Sequence, residues 1–163
     1  MYAPDIVASG KNRSYAELFY DRVNIGKKPR PQSVVHELGH LLENNHELKK
    51  KSVGFLKQRI GPGKNPKLMG MRELTGSDFY SNDEYAYINT GFTNPYTAKV
   101  YPNTATHVGF EHIDATEIIS MGLEQMYWDP VKFMTDDPEF FDFIWDNVIR
   151  KTPNIKVGET SYV

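Results

Sequence analysis

The sequence predicts an α+β fold that is predominantly helical, with a small, mostly antiparallel sheet and a metal site between two helices. Three observations carry this expectation. Residues 36–40 read His-Glu-Leu-Gly-His inside an apolar stretch of helical period. A second strongly periodic stretch, far along the chain, carries Glu117 at the edge of its apolar face. Between them, residues 67–110 turn to a Tyr-, Thr-, Asn-, Gly- and Phe-rich composition that suits short strands.

Taken in order, Ser14-Tyr15-Ala16-Glu17 has the spacing of a capping box, and a helix is expected from Tyr15 to Asn24, ending at Gly26. A basic turn, Lys27 to Pro31, follows. The next helix runs from Pro31, a residue suited to a first helical turn, to Asn44. Val34, Val35, Leu38, Leu41 and Leu42 form its apolar stripe. Gly39 is costly inside a helix and makes sense if another element packs closely there. Asn44-Asn45 reads as a break. Leu48, Ser52, Phe55, Leu56 and Ile60 are spaced for a third helix with Lys49, Lys50 and Lys51 outward, stopped by Gly61-Pro62-Gly63 and a loop through Lys64 to Pro66. Short strands are expected near Lys67–Arg72, Glu84–Ile88 and Tyr96–Tyr101. A helix from Asp114 to Tyr127 follows, stopped by Asp129-Pro130. The last helix starts at Pro138 with Asp136 or Asp137 as cap, and packs Phe140, Phe141, Ile144, Trp145, Val148 and Ile149 inward. The tail after Pro153 (154–163) reads as loose.

Composition bounds the function. The 163 residues suit a single domain spanning 1–163, and 39% hydrophobic content supplies a core. A net charge of −2 gives no reason to expect nucleic acid or an anionic membrane as partner. No run has the length of a membrane-spanning helix, and Met1 to Gly10 lack a basic-then-apolar leader pattern. There is no cysteine, so any metal must be held by histidine and carboxylate, and a cytoplasmic location is expected. The abrupt start Met1-Tyr2-Ala3-Pro4 fits a piece of a longer protein, whose other domains would then be partners.

The chemistry is concentrated in His36-Glu37-Leu38-Gly39-His40. Two histidines four apart lie one helical turn from each other on one face, so their rings can converge on one cation, usually zinc. Glu37 can project toward the coordination position left for water and act as general base. A third protein ligand is needed. Glu117 is preferred, because Ile118 and Ile119 turn its neighbourhood to the core. Glu124, two turns on, could serve instead, or could hold a histidine from behind. His46 would complete His-Glu-x-x-His-x-x-Gly-x-x-His, except that Glu43 stands at the glycine, where a Cβ resists the sharp turn. Ser120-Met121-Gly122 could even be read as the methionine turn of that pattern, against its helical surroundings. The oxyanion donor is open among His112, His107, Tyr101, Tyr87 and Tyr85, with His112 first because it is near Glu117 in sequence.

From His36 to about Arg150 the chain resembles zincin metallopeptidases, of the gluzincin-like subgroup whose third ligand is a glutamate on a later helix. The resemblance implies zinc held by His36, His40 and Glu117, hydrolysis of a peptide or protein substrate with Glu37 as base, and a strand edge along which the peptide lies. Thr116-Glu117-Ile118-Ile119-Ser120-Met121-Gly122-Leu123-Glu124, followed by Asp137-Pro138-Glu139-Phe140, is similar to zincin-like domains attached to phage head-morphogenesis proteins, and more distantly to the catalytic domain of the anthrax lethal factor type. Two positions depart. Thr116 stands where many members carry Asn, and Phe110 and His112 are the nearest residues to where others carry a tyrosine. Two further expectations compete with the peptidase: a zinc-bound docking module closed by Glu43, His46 or Glu124 as fourth ligand, and a toxin or effector protease with a single protein target.

Overall fold

The computed structural model describes residues 4–61, 66–102 and 109–151, and their fold is mixed α and β. The first sheet contains β1 (Asp5–Ala8), β2 (Tyr15–Glu17) and β3 (Arg22–Ile25) in the order β1-β3-β2, with β3 parallel to β1 and antiparallel to β2. The helix expected over Tyr15–Asn24 is therefore replaced by a β-hairpin. Ser14 does not cap residue 17; its hydroxyl accepts from the Gly26 amide at 3.1 Å, tying the two ends of the hairpin together. Asp21 takes a left-handed conformation (φ 49°) after a 3₁₀ turn at Leu18–Tyr20, which no continuous helix allows. Phe19 in that turn is 91% exposed.

The helices α1 (Pro31–Glu43) and α2 (His46–Ile60) follow the expected pattern. Pro31 opens α1. Asn45 caps α2 by accepting from the amides of Glu47 and Leu48, so the Asn44-Asn45 pair is the break that composition suggests. The burial of α1 is inverted relative to its apolar stripe: Glu37, Gly39 and Glu43 are its buried residues, whereas Leu42 is 45% exposed. A helix that buries two carboxylates has something for them to do.

The second sheet is antiparallel throughout, in the order β4 (Leu68–Gly70), β5 (Tyr85–Tyr87), β6 (Lys99–Pro102), β7 (Ile113–Thr116). The expected strand over Lys67–Arg72 stops at Gly70, where the short helix α3 (Met71–Thr75) begins, and Tyr96 lies in a 3₁₀ turn (Pro95–Ala98) rather than in β6. β7 occupies the start of the stretch expected as helix from Asp114. Pairing with β6, in the register Val100↔Thr116 and Tyr101↔Ala115, overrides the helical period there. α4 then runs from Ile118 to Trp128, with Met121 inside it and no methionine turn.

Asp129-Pro130 stops α4 and also starts another helix, α5 (Pro130–Asp136), which Asp129 caps. α6 (Pro138–Ile144) is capped by Asp137 and continues as a π-helical turn, Trp145–Ile149. Ile118, Ile119, Leu56, Met71, Tyr87, Phe140 and Ile144 are buried in one core. Trp145, expected inward, is 43% exposed. The tail after Pro153, His107 and most of the loop through Lys64 lie outside the described residues. No helix among the described residues is long and apolar enough to cross a membrane.

The contact that positions the site is α1 against α4. A Cβ placed on Gly39 would stand 2.5 Å from Ser120 Cα, so the two backbones touch. This is the close approach that a helix-interior glycine implies.

Candidate metal centre

His36 and His40, one turn apart on α1, place their ring centroids 5.1 Å apart and nearly perpendicular. Nε2 of each faces the same oxygen, Glu117 Oε2, at 3.2 Å and 3.3 Å. Glu117 is fully buried and is the N-cap residue of α4, at the junction where β7 ends, rather than a residue of the helix body. Ligand atoms of His36, His40 and Glu117 lie mutually within 4.8 Å, close enough to hold one metal ion. At bond lengths of about 2.0–2.1 Å, two corners of a coordination tetrahedron stand roughly 3.3 Å apart, which is the separation found on both sides of the carboxylate oxygen.

Each group is held from behind. His36 Nδ1 lies 3.1 Å from Glu124 Oε2, a contact that places the proton on Nδ1 and leaves Nε2 free to coordinate. Glu124 is thus a support for His36, the second of the roles its spacing allows. Glu117 Oε2 also accepts from Ser120 Oγ at 2.7 Å, and Oε1 accepts from the Tyr101 hydroxyl at 2.6 Å. Lys99, two residues before Tyr101 and so on the same face of β6, donates to that hydroxyl at 2.8 Å and to Glu84 at 2.7 Å. The backbone around Glu117 is fixed by Glu43, whose carboxylate accepts from both the amide (2.9 Å) and the hydroxyl of Thr116. Glu43 lies three residues after His40, so α1 presents the two imidazoles and also anchors the residue next to the carboxylate they meet.

Electrostatics follow from burial and charge. Burial alone would lower the His36 pKa, but Glu117, Glu124 and Glu37 raise it to about 9. Burial disfavours the Glu117 carboxylate, yet the two imidazoles hold it well below the usual carboxylate range. Burial, with the charge of Glu117, pushes the Tyr96 and Tyr101 phenols up. Burial raises Glu43 against the opposing hydrogen bonds from Thr116.

A cavity of about 830 Å³ opens over this cluster, lined by His36, Glu37 and His40 on one side and by residues of the β1–β2 loop, β2, β6 and β7 on others. Glu37 is nine-tenths buried and borders it. The other candidates are placed elsewhere. His46 opens α2, exposed to solvent beyond the Asn44-Asn45 turn. Glu43 is occupied by Thr116. His112, expected as oxyanion donor, lies on a 3₁₀ turn (Phe110–His112) beside Glu111, its side chain 42% exposed, and does not line the cavity. Nearness in sequence misled there, because β7 intervenes between residue 112 and the junction. Tyr85 and Tyr87 are likewise absent from the cavity wall, whereas Tyr101 and Tyr96 form part of it. Tyr96 stands beside Arg13 in the cavity wall, and its ring centroid lies 6.2 Å from that of His36. Arg13, Lys99 and Glu84 were not expected at the site. The i, i+2 pair Lys99–Tyr101 was the one local signal available for them. No protein-family model, no curated protein and no solved structure matches this chain, and the site therefore stands on its own geometry.

Proposed function

We propose that this protein is a zinc-dependent peptidase of zincin-like architecture. The observation that carries the reading is the meeting of Glu117 Oε2 with Nε2 of both His36 and His40, between segments far apart in the chain. Separations of 3.2 Å and 3.3 Å from the carboxylate oxygen to the two imidazoles, all-nitrogen-and-oxygen donors and a cavity on one side favour zinc with an open position. Zinc, when bound there, supplies a Lewis acid that polarises a carbonyl and acidifies water. The chain supplies the rest. Glu37 takes a proton from the attacking water and returns it to the departing amine. Tyr96, which lines the cavity beside Arg13, donates to the oxyanion in the role first expected of His112. β2 is an edge strand of its sheet and contributes Tyr15 and Ala16 to the cavity wall, so an extended peptide can pair with it and present its carbonyl.

A zinc-bound docking module, of the kind a phage-type assembly would use, requires a fourth protein ligand. Glu43 is engaged by Thr116, Glu124 by His36 Nδ1, and His46 faces solvent, so nothing among the described candidates favours closure. The test is elemental analysis joined to digestion of an unfolded protein substrate. The parent should hold one zinc per chain and cleave, Glu117→Ala should lose the metal, and Glu37→Gln should keep the metal and lose cleavage. A Glu37→Gln protein that cleaves like the parent would sink the assignment.

A further inference from the structure

The cavity over the cluster does not end there. A second cavity of about 420 Å³ shares His36, Glu37, Arg13 and Tyr96 with it and continues past Phe79, which is 99% exposed. A third, of about 270 Å³, shares Asn94, Met121 and Glu124 with the second and reaches the corner between α4 and α5. The three cavities thus lie in a row from the metal cluster along α4. The far end of the row is walled by Met121, Trp128 and Phe133, of which Phe133 is buried and Trp128 is 71% exposed.

We propose that this far end is a distal substrate subsite, which takes one aliphatic or aromatic side chain of the same extended polypeptide whose peptide bond lies over the cluster. The proposal rests on the peptidase reading. Three features identify the occupant. The chamber adjoins the catalytic cavity by way of the middle one, each bordering the next through shared side chains, so one extended chain can run from one end to the other. The end chamber is smaller than the roughly 300 Å³ at which pockets for drug-sized molecules begin, so it suits a side chain rather than a separate ligand. Most of its wall area is apolar, and the charged residues that also line it are engaged: Glu124 with His36, Asp129 as the cap of α5, and Lys132 with Asp136 at 2.5 Å, which leaves neither a cation nor a carboxylate of that wall unpaired to select a charged group.

The spacing follows from the helix. Trp128 lies eleven residues along α4 from Glu117, about 16 Å at 1.5 Å per residue. An extended peptide covers that distance in about five residues at 3.3 Å each. The preferred apolar residue should therefore stand four to five positions from the cleaved bond, on one side only. A protein with this subsite cuts within long chains and handles short peptides poorly.

The experiment uses twelve-residue quenched-fluorescence peptides built around a bond that the zinc-loaded protein cuts in reduced, carboxymethylated albumin. Leu or Ser is placed in turn at each position from two to six on either side. A Leu at position four or five on one side should raise kcat/KM about five- to tenfold over Ser, consistent with partial burial of one apolar side chain. Trp128→Ala, a change at an exposed position, should abolish that preference and leave hydrolysis of a peptide truncated before the subsite unchanged. Efficient cleavage with no positional preference, or a preference that survives Trp128→Ala, overturns the subsite and leaves the peptidase standing. No cleavage of albumin or of any peptide by the zinc-loaded parent overturns both.

Discussion

Replacing Gly39 with alanine should damage the fold and the metal site together, and the size of both effects can be worked from one distance. A Cβ at residue 39 would sit 2.5 Å from Ser120 Cα and 2.8 Å from Ser120 N, roughly 0.9 Å inside ordinary contact. The obstacle is backbone, so no rotamer change relieves it and α1 must move from α4. Overpacking of this kind costs about 1–3 kcal/mol, and a backbone clash belongs at the upper end. Alanine returns about 1 kcal/mol in helix propensity. The net loss is then about 2 kcal/mol, which for a chain of this length lowers Tm by roughly 4–8 °C. Glu117 lies three residues before Ser120, whereas His36 and His40 flank Gly39. Metal ligands tolerate displacements of only about 0.2 Å, so a separation several times larger should weaken metal affinity more than tenfold. Thermal denaturation and chelator competition measure the two quantities independently. An alanine variant with the parent's Tm and the parent's affinity would mean that the helices do not meet backbone to backbone at Ser120, and the placement of Glu117 would lose its support.

Glu124→Ala removes the acceptor for His36 Nδ1 without touching a ligand, and should lower metal affinity about 10–100-fold at unchanged stoichiometry in the same competition assay. Tyr96→Phe should lower kcat by about 10²–10³-fold while metal content and KM stay near the parent's; loss of metal instead would assign Tyr96 a purely structural role. Chelator-stripped protein should be less stable at pH 9.5 than at pH 6. The His36 pKa is raised from 6.5 to about 9, so its stabilisation is complete below about pH 6.5 and disappears as pH rises through 9, on the order of 3 kcal/mol by urea unfolding. A His36→Gln protein should lack that slope, and an equal slope in both proteins would exclude His36 as its source.

The parts of this protein that were legible in its sequence are those set by local spacing. The i, i+4 histidines, Pro31 at the start of α1 and the Asn45 cap all act within a turn or two of helix, and the structure places them where their spacing says. What was hidden depends on partners far away in the chain. Ser14-Tyr15-Ala16-Glu17 carries a real capping-box pattern, but pairing with Arg22–Asn24 and the Ser14–Gly26 hydrogen bond outcompete it. Ile113–Thr116 has the period of α4 and is drawn into the sheet by β6. Glu117 was identified by its place at the edge of an apolar face, but its position at a strand–helix junction was not, and the same oversight made His112 look near. The grip of Glu43 on Thr116 joins residues 73 apart, and no local pattern announces such a bond. A carboxylate amid leucines on α1 was the one available hint.

The burial of Glu117 connects folding to chemistry. A carboxylate with no solvent exposure is costly unless its charge is answered. Here it is answered by two imidazoles and a serine hydroxyl on one oxygen, and on the other by a tyrosine hydroxyl with the Lys99 ammonium 3.8 Å away. With His36 protonated near neutral pH, a positive charge already stands in the space between the three ligand atoms, and the site can fold with its charges in rough balance. Coordination by Nε2 would require that proton to leave, so exchange of one proton for a divalent cation would make the cluster one charge more positive. Glu117 cannot rearrange to absorb this surplus, because Ser120, Tyr101 and the Glu43–Thr116 anchor fix it. The surplus would therefore be felt on the open side, in the cavity bordered by Glu37 and Tyr96, where it would favour negative charge developing on a substrate. The same bonds that let an acid be buried in the core are the ones that would direct a bound cation's charge outward.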